Sequence, residues 1–219
     1  DDPSVSCLMG GCGGPTNLCA YTPYHIGWGA FLSNIDGGCY SFKNNKIYLF
    51  SKGHYIRYTS DFKFEEGYPK PIKENWPGFP DNFAEGIDAS IYTKANGKIY
   101  FFRGNEYIRV NPNNGWQVDA GYPKPIAGNW NGFPADFANG VDAALWSETN
   151  QRIYFFKGNQ YIRVNPSAGW AVEAGCPKNI TGNWPGFPAA FNAGLDSAIW
   201  NEHNKRIYFF KDLQYIRLN

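Results

Sequence analysis

The chain has 219 residues, with 20 Lys and Arg against 19 Asp and Glu, so its formal net charge is +1. That length is enough for one large domain or two small ones. The near-neutral charge gives no reason to expect nucleic acid or an anionic membrane as the main partner. No run of about 18 apolar residues predicts a membrane span. With 25 Gly, 15 Pro and 18% aromatic residues, the composition favours many short strands over long helices.

The N-terminal segment carries three of the five cysteines, Cys7, Cys12 and Cys19, and shows no hydrophobic periodicity. Such a segment needs cross-links to be ordered, so we expect disulfides there rather than reduced thiols. The cysteine spacing fits a zinc site poorly, because zinc sites use two close pairs or supporting histidines. Since five is an odd number, at least one thiol stays free or bonds another chain. The sequon at Asn179 adds to the expectation of a secreted glycoprotein.

An internal repeat dominates the sequence from about residue 31 onward. Three markers recur in one register: a Trp-x-Gly-Phe-Pro motif, a Tyr-Ile-Arg triplet and an Asp preceded by an aliphatic residue, with steps of 52 or 54 residues. The motif begins at Trp76, Trp130 and Trp184, the triplet begins at Tyr55, Tyr107, Tyr161 and Tyr215, and the aspartates are Asp36, Asp88, Asp142 and Asp196. The chain therefore contains four copies of one supersecondary unit.

The second copy indicates what one unit contains. A segment that Pro starts and Gly ends, residues 79–86, predicts a single helical turn. Residues 87–92, 98–102 and 106–110 predict three strands, the last two joined by a tight hairpin. Residues 113–118 predict a fourth, outer strand. Four antiparallel strands in each of four units predict an all-β, four-bladed β-propeller; a solenoid stack is the main alternative, which the lack of a long repeated helix disfavours.

Each unit follows one pattern: an Asp-Ala start, an aromatic strand such as Ile153-Tyr-Phe-Phe156, a Lys-Gly-Asn turn and Tyr161-Ile-Arg163. With the linking segments Gly-Tyr-Pro-Lys-Pro-Ile and Asn-Trp-x-Gly-Phe-Pro, this pattern resembles the hemopexin-like repeat family over roughly residues 30 to 219. We expect a Cys/Gly-rich segment at 1–28, which we assign to ring closure, and a propeller at 29–219. The expected blades are 31–70, 71–124, 125–178 and 179–219.

The last copy departs from the pattern in a way that bears on ring closure. The sequence given ends two residues after Arg217, and we therefore expect the fourth blade to have no outer strand of its own. Because an open sheet edge invites association, we expect residues near Tyr21 to Trp28 to pair there. The family resemblance implies a disulfide between the first and last blades, yet no cysteine follows Cys176. That cross-link is therefore absent or rerouted through Cys176, which replaces the Tyr of the other linkers.

The four repeated aspartates are the strongest candidate site. Each opens the innermost strand of its blade, so the four should ring a central channel. Since residues i and i+2 of a strand present the same side, we expect carbonyl groups of the aspartates and of small residues two positions later to form two oxygen layers. These residues are Asp36 and Gly38, Asp88 and Ser90, Asp142 and Ala144, and Asp196 and Ala198.

Hard oxygen ligands suit Ca²⁺ or Na⁺, and the family resemblance also implies such an ion in the channel. The alternative is that each aspartate only caps its strand or the neighbouring turn through hydrogen bonds. The arginines of the triplets and the tryptophans of the repeated motif recur from copy to copy. We therefore predict structural roles for them: pairing of each Arg with a blade carboxylate or carbonyl, and packing of each Trp between blades.

No familiar catalytic motif occurs in the sequence, which lacks His-Glu-x-x-His, Gly-x-Ser-x-Gly and a phosphate-binding glycine loop. His25, His54 and His203 do not recur in register, so we interpret them as ordinary loop or surface residues. Matrix metalloproteases carry this repeat as an appended domain, but the sequence contains none of their zinc-protease part. The chain is predicted not to be an enzyme.

Three functions stay open. Exposed aromatic side chains in repeated grooves would stack on sugar rings, which favours a secreted or vacuolar lectin-like protein with glycans as partners. The resemblance, which extends to plant seed albumins, also implies haem or polyamine binding, although haem iron usually needs an axial His, Cys, Met or Tyr. The third function is a protein-docking module of a larger secreted protein. The residues that would contact such ligands are not identified by the sequence.

Overall fold

A computed structural model of the chain describes residues 18–20 and 35–218. These residues form four antiparallel sheets, which are the blades of an all-β, four-bladed propeller, as predicted. The strands are β1 (Leu18–Ala20), β2 (Gly37–Ser41), β3 (Lys46–Ser51), β4 (His54–Thr59), β5 (Lys70–Pro71), β6 (Ala89–Thr93), β7 (Lys98–Arg103), β8 (Glu106–Asn111), β9 (Gln117–Val118), β10 (Lys124–Pro125), β11 (Ala143–Ser147), β12 (Arg152–Lys157), β13 (Gln160–Asn165), β14 (Ala171–Val172), β15 (Lys178–Asn179), β16 (Ser197–Asn201), β17 (Arg206–Lys211) and β18 (Gln214–Leu218).

The helices are single turns between blades: α1 (Ile72–Asn75), α2 (Asp81–Ala84), α3 (Ala135–Ala138) and α4 (Ala189–Asn192), with a 3₁₀ turn at Pro166–Ala168. Blade 1 contains β2 to β5, blade 2 contains β6 to β10, blade 3 contains β11 to β15, and blade 4 contains β16 to β18 together with β1. None of the described helices is long and apolar enough to cross a membrane.

The second strand of each blade is apolar on both faces because every blade packs between two neighbours. In β7, the run from Ile99 to Phe102 is buried without interruption. A strand in which apolar and polar residues alternate has one face in water. A continuous run of β-branched and aromatic residues instead suits a strand that is covered on both faces. β6, β7 and β8 then pair in antiparallel register, with Ala89 opposite Phe102 and Phe102 opposite Tyr107.

The outer strand differs from the prediction. Residues 113–118 were expected to form one strand, but only Gln117 and Val118 pair with β8, while β10 pairs with the other half of β8. Gly115 and Trp116 both have positive φ angles, 62° and 61°. An extended strand cannot pass through that region, so pairing is interrupted there and is divided between two short strands.

Small residues let the four inner strands approach the propeller axis. A Cβ atom added at Gly38 would lie 2.8 Å from Ile199 of blade 4 and 2.9 Å from Leu49 of its own blade. The equivalent positions in the other blades are Ser90, Ala144 and Ala198, all buried. The crowding therefore explains why the first blade has Gly here and why no larger residue occurs at this level.

The repeated tryptophans pack between adjacent blades, which confirms their predicted structural role. Trp130 lies 5.4 Å from Tyr100 of blade 2 and 5.1 Å from Phe155 of blade 3, measured between ring centroids. Trp76 joins blades 1 and 2 in the same way, and Trp184 joins blades 3 and 4. Aromatic contacts of this kind add to the burial of apolar surface that holds the ring together.

Blade 4 is completed by β1, which pairs with β18 in antiparallel register, Leu18 opposite Ile216 and Ala20 opposite Gln214. The first and last strands of the described chain therefore share one sheet. The segment Tyr21 to Trp28, for which we predicted this pairing, lies outside the described residues. Cys39 and Cys176 are free thiols, so the inter-blade disulfide is not rerouted through Cys176. The division at 28/29 remains a prediction.

Candidate functional site

The four predicted aspartates lie together at one mouth of the central channel. Each carboxylate accepts, at Oδ2, a hydrogen bond from a backbone N–H sixteen residues later, in the hairpin between the second and third strands of its blade. The donor–acceptor distances are 2.7 Å for Lys52 to Asp36, 2.6 Å for Gly104 to Asp88, 2.7 Å for Gly158 to Asp142 and 2.5 Å for Asp212 to Asp196. The capping role is thus present in every blade. These hydrogen bonds use a side-chain oxygen of each aspartate. They are compatible with the predicted channel ion, because that ion would bind main-chain carbonyls.

The mouth opens into a cavity of about 460 Å³ that is lined by all four aspartates and by Lys157 and Lys211. The Lys211 ammonium lies 3.1 Å from Asp196 Oδ1. Burial raises the pKa of the Asp36 carboxyl above its usual value, and the negative charges of Asp88 and Asp196 add to this effect. The mouth is therefore a ring of mutually repelling carboxylates that lysines on blades 3 and 4 neutralise in part.

The inner strands also provide main-chain oxygens to the axis. Each is paired on one edge only, as β6 is with β7, and alternate C=O groups of such a strand point to its other edge. The Ser90 hydroxyl is buried and has no hydrogen-bond partner among the described residues. Hard oxygens of this kind fit a Ca²⁺ or Na⁺ ion. Within residues 35–218, no group of three His, Cys, Asp or Glu side chains could hold a metal ion.

The far end of the channel is closed by four side chains that directly follow the inner strands. These are Phe42, Lys94, Glu148 and Glu202. The Phe42 ring packs against the cores of all the blades. The Lys94 ammonium lies 4.4 Å from the Phe42 ring centroid and 2.7 Å from Glu148. The remaining space behind Phe42 is about 10 Å³, at the lower limit for one water molecule. A ligand would therefore enter through the aspartate mouth.

The arginines of the Tyr-Ile-Arg triplets pair with carboxylates of their own blades, which confirms the structural prediction for three of the four. The pairs are Arg57 with Glu65, Arg109 with Asp119, and Arg163 with Glu173. In blade 4, the Arg217 Nε atom is buried without a hydrogen-bond partner among the described residues. The sequence did not identify the carboxylates, because they lie in irregular loops at offsets of 8 or 10 residues.

The acidic partners in blades 1 and 3 have depressed pKa values. Burial acts to raise the pKa of Glu173, but hydrogen bonds from Arg152 and Arg163 hold it below its ordinary value. The same balance lowers the pKa of Glu65 in blade 1. These two carboxylates are therefore ionised at neutral pH and join the outer edges of blades 1 and 3 to the second and third strands of those blades.

The histidines, the sequon and the remaining tryptophans do not form a site together. His54 and His203 are exposed and far apart in sequence, and His25 lies outside the described residues. Asn179 is exposed and belongs to the short strand β15 rather than to a loop. No described Trp is exposed, and Trp116 and Trp170, which border inter-blade grooves, are half-buried. The aromatic surface open to a ligand is therefore smaller than the sequence suggested.

Comparison with known proteins agrees with this geometry. A family model described as Hemopexin matches residues 39–81, 87–135 and 141–189. The chain is 31% identical over 127 residues to Stromelysin-1 from Equus caballus, covering 58% of this chain and 24% of that protein. It is 29% identical over 194 residues to Albumin-2 from Lathyrus sativus, covering 86% of this chain and 83% of that protein. The chain thus spans about a quarter of Stromelysin-1 and most of Albumin-2.

Solved structures give the same result. The seed albumin LS24 from Lathyrus sativus superposes with a TM-score of 0.73 at 27% identity, covering 84% of this chain and 85% of that one. A plant albumin from Cicer arietinum showing hemagglutination gives 0.69 at 28% identity, with 84% and 86% covered. A plant lectin with two metal binding sites, also from Cicer arietinum, gives 0.68 at 29% identity, with 84% and 86% covered.

Proposed function

Because the chain belongs to the hemopexin family, we propose that it is a secreted, non-enzymatic protein that binds carbohydrate in a lectin-like way. The observation that carries this proposal is the similarity, over 84% of the chain, to a plant albumin that shows hemagglutination. A protein agglutinates cells only if it has more than one sugar-binding site. A propeller built from four similar blades can supply repeated sites. A vacuolar or extracellular compartment is consistent with the similarity to seed albumins.

The proposal includes a Ca²⁺ or Na⁺ ion on the channel axis. It would be held by main-chain oxygens of Asp36, Gly38, Asp88, Ser90, Asp142, Ala144, Asp196 and Ala198. Two observations support it: the small residues at the inner level and the similarity to a lectin with two metal binding sites. A positive charge there would relieve the repulsion within the aspartate ring and lock the four inner strands in place.

The exposed position of Asn179 in β15 is compatible with N-glycosylation, which we include in the proposal. An intact-mass measurement before and after treatment with peptide N-glycosidase tests this directly on protein from its natural source. A loss of about one glycan mass together with conversion of Asn179 to Asp is expected. An unchanged mass would remove the modification from the account.

A glycan array, run with and without a calcium chelator, tests the proposed function. We expect saturable binding that a free sugar displaces, and weaker binding with chelator if a divalent channel ion stabilises the blades. A blank array with protein that is shown to be folded would overturn the proposal. A hemin titration on the same sample would then distinguish the two alternatives. A shift of the hemin absorption band would indicate haem binding, and an unchanged band would favour a protein partner.

A further inference from the structure

A second cavity, of about 320 Å³, lies between blades 2 and 3, away from the channel. We call it groove B and define it by Arg109, Tyr122, Lys124, Asn129 and Trp170. The Arg109 guanidinium lies 5.2 Å and the Lys124 ammonium 5.1 Å from the centroid of the Tyr122 ring. None of the described residues that line the groove is Asp or Glu. Two cations and an aromatic ring thus line one open depression.

The positive charge of groove B is only partly neutralised. Arg109 donates from Nε to Asp119 at 2.6 Å, and Asp119 also lies 3.6 Å from Lys98. Lys124 makes no ion pair with any carboxylate in the described part of the chain, and its contact is the Tyr122 ring. A surface depression with excess positive charge attracts anionic groups. The planar guanidinium and the neighbouring ammonium suit a carboxylate in particular.

The same arrangement occurs a second time, between blades 1 and 2. We call this groove A, and its residues are Arg57, Tyr68, Lys70, Asn75 and Trp116. Arg57 lies 5.2 Å and Lys70 lies 5.0 Å from the centroid of the Tyr68 ring. In both grooves the Asn amide donates to a proline carbonyl four residues earlier, at 2.9 Å in groove A and 3.0 Å in groove B. The side chains are therefore arranged alike at the two places, although Tyr68 is buried and Tyr122 is half-buried.

Blade 3 shows which of these residues the fold itself needs. It keeps the Arg163–Glu173 pair and the amide contact from Asn183, and it keeps Lys178. It has Cys176, however, where grooves A and B have Tyr. Its sheet is nevertheless complete, with β13 pairing to β12, β14 and β15. The tyrosine is therefore not required for a blade to form. In blades 1 and 2 it packs on the first Tyr of the triplet, with ring centroids 5.4 Å apart for Tyr68 and Tyr55 and 5.5 Å apart for Tyr122 and Tyr107, and it holds the two cations over its ring.

The tryptophans at the groove edges add a second observation. Trp116 and Trp170 have φ angles of 61° and 58°, a left-handed conformation that costs energy for a bulky side chain. The Trp170 ring lies 5.9 Å from Trp130 and 6.0 Å from Tyr100, so it crosses from blade 3 to cover the core of blade 2. Strained aromatic residues of this kind are kept where the surrounding structure fixes them, and here they form one wall of each groove.

We propose that grooves A and B are two equivalent binding sites for a sugar residue that carries a carboxylate. The carboxylate would pair with Arg109 and Lys124 in groove B, and with Arg57 and Lys70 in groove A. The sugar ring would lie against the half-buried Trp170 in groove B and Trp116 in groove A, since an indole presents an apolar face beside a polar group. This inference rests on the proposed carbohydrate-binding function and specifies its ligand class and its valency, which is two sites per chain.

Isothermal titration calorimetry of the full chain tests the inference with a galacturonic acid trisaccharide and a neutral galactose trisaccharide. The variants are K124Q, K70Q/K124Q and the matched control K178Q, which removes the equivalent lysine of blade 3. We expect two sites for the acidic trisaccharide in the unaltered chain, one in K124Q, and at least tenfold weaker binding in K70Q/K124Q. K178Q should bind like the unaltered chain, and raising the salt concentration should weaken binding.

The Y122C variant places in blade 2 the residue that blade 3 has at this position. It should also lose one site, and circular dichroism checks that it is folded.

Binding by K70Q/K124Q at full strength, or equal weakening by K178Q, would overturn the groove assignment. Binding of the neutral trisaccharide without the acidic one would also overturn it, while the proposed lectin-like function would stand. If neither saccharide binds and the glycan array is blank, both the groove assignment and the proposed function fail.

Discussion

At the scale of single residues, the repeated charged side chains stabilise two different parts of each blade. The aspartates at the channel mouth accept hydrogen bonds from the hairpins of their own blades, as Asp142 does from Gly158. The arginines of the triplets pair with carboxylates near the outer edge, as Arg163 does with Glu173. Both contacts join segments of a single blade, so they stabilise each blade rather than the contacts between blades.

Replacing Glu173 by Gln should destabilise the protein by about 1 kcal/mol at pH 7, because Arg152 and Arg163 lose their charged partner while remaining partly solvated. The folded-state pKa of Glu173 is depressed. Its contribution is therefore complete above the unfolded pKa and is lost as the pH falls through the folded value. Chemical denaturation of both proteins between pH 7 and pH 3 measures the difference.

The control for this series is Glu66→Gln, since Glu66 is exposed and a surface change away from such contacts alters stability by within about 0.5 kcal/mol. A Glu173→Gln difference that stays constant down to pH 3 would show that the ion pair is not its source. A loss of stability no larger than that of Glu66→Gln would mean that hydration of the two arginines replaces the ion pair without cost.

At the scale of elements, the sequence predicted the repeated strands closely and failed where backbone conformation decides. The expected strand at 98–102 is β7, Lys98–Arg103, and the expected helical turn at 79–86 contains α2. Periodicity and β-forming residues carry that information. The outer strand was predicted at 113–118, but only Gln117 and Val118 form it, because Trp116 is left-handed. Nothing in the residue type Trp predicts such a conformation.

Replacing Trp130 by Ala should destabilise the protein by about 3–5 kcal/mol, because a large, 4% exposed side chain between two blades would leave a cavity. For a domain of this size that corresponds to a fall in the melting temperature of about 10 °C. Differential scanning calorimetry measures it. The control is Leu213→Ala, whose side chain is 43% exposed. Similar melting temperatures for the two variants would contradict the assigned role of Trp130.

Strand β1 gives a sharper test of ring closure. A chain that lacks residues 1–17 keeps β1, whereas one that lacks residues 1–20 loses it and exposes the edge of β18. We expect the second truncation to melt at least about 10 °C below the first and to associate through the open edge. Scanning calorimetry and size-exclusion chromatography measure both effects. Equal melting temperatures and equal elution volumes would mean that β1 does not close the ring.

At the scale of the whole molecule, the ring creates sites that no single repeat contains. The aspartates that line the mouth come from all four blades, and their grouping followed from the repeat itself, so the sequence could predict it. Groove B instead joins Tyr122 of blade 2 to Trp170 of blade 3. Because such a groove depends on how adjacent blades are placed, motif spacing alone could not identify it.

The proposed channel ion should make the stability of the protein depend on the cations in solution. A ligand present at one hundred times its dissociation constant stabilises the folded state by about 2.7 kcal/mol. We therefore expect the melting temperature to rise when Ca²⁺ or Na⁺ is added to protein dialysed against a chelator in choline chloride. Thermal denaturation monitored by tryptophan fluorescence measures the rise, and choline chloride alone is the control. Identical melting curves with Ca²⁺, Na⁺ and choline would contradict an ion on the axis.

Agglutination of erythrocytes by the purified, folded chain is the sharpest test of lectin-like binding, because it requires both sugar binding and more than one binding site. We expect agglutination that a competing sugar inhibits and that the K70Q/K124Q variant no longer produces, while K178Q agglutinates like the unaltered chain. A folded chain that neither agglutinates cells nor binds any glycan would contradict the lectin-like function of this propeller.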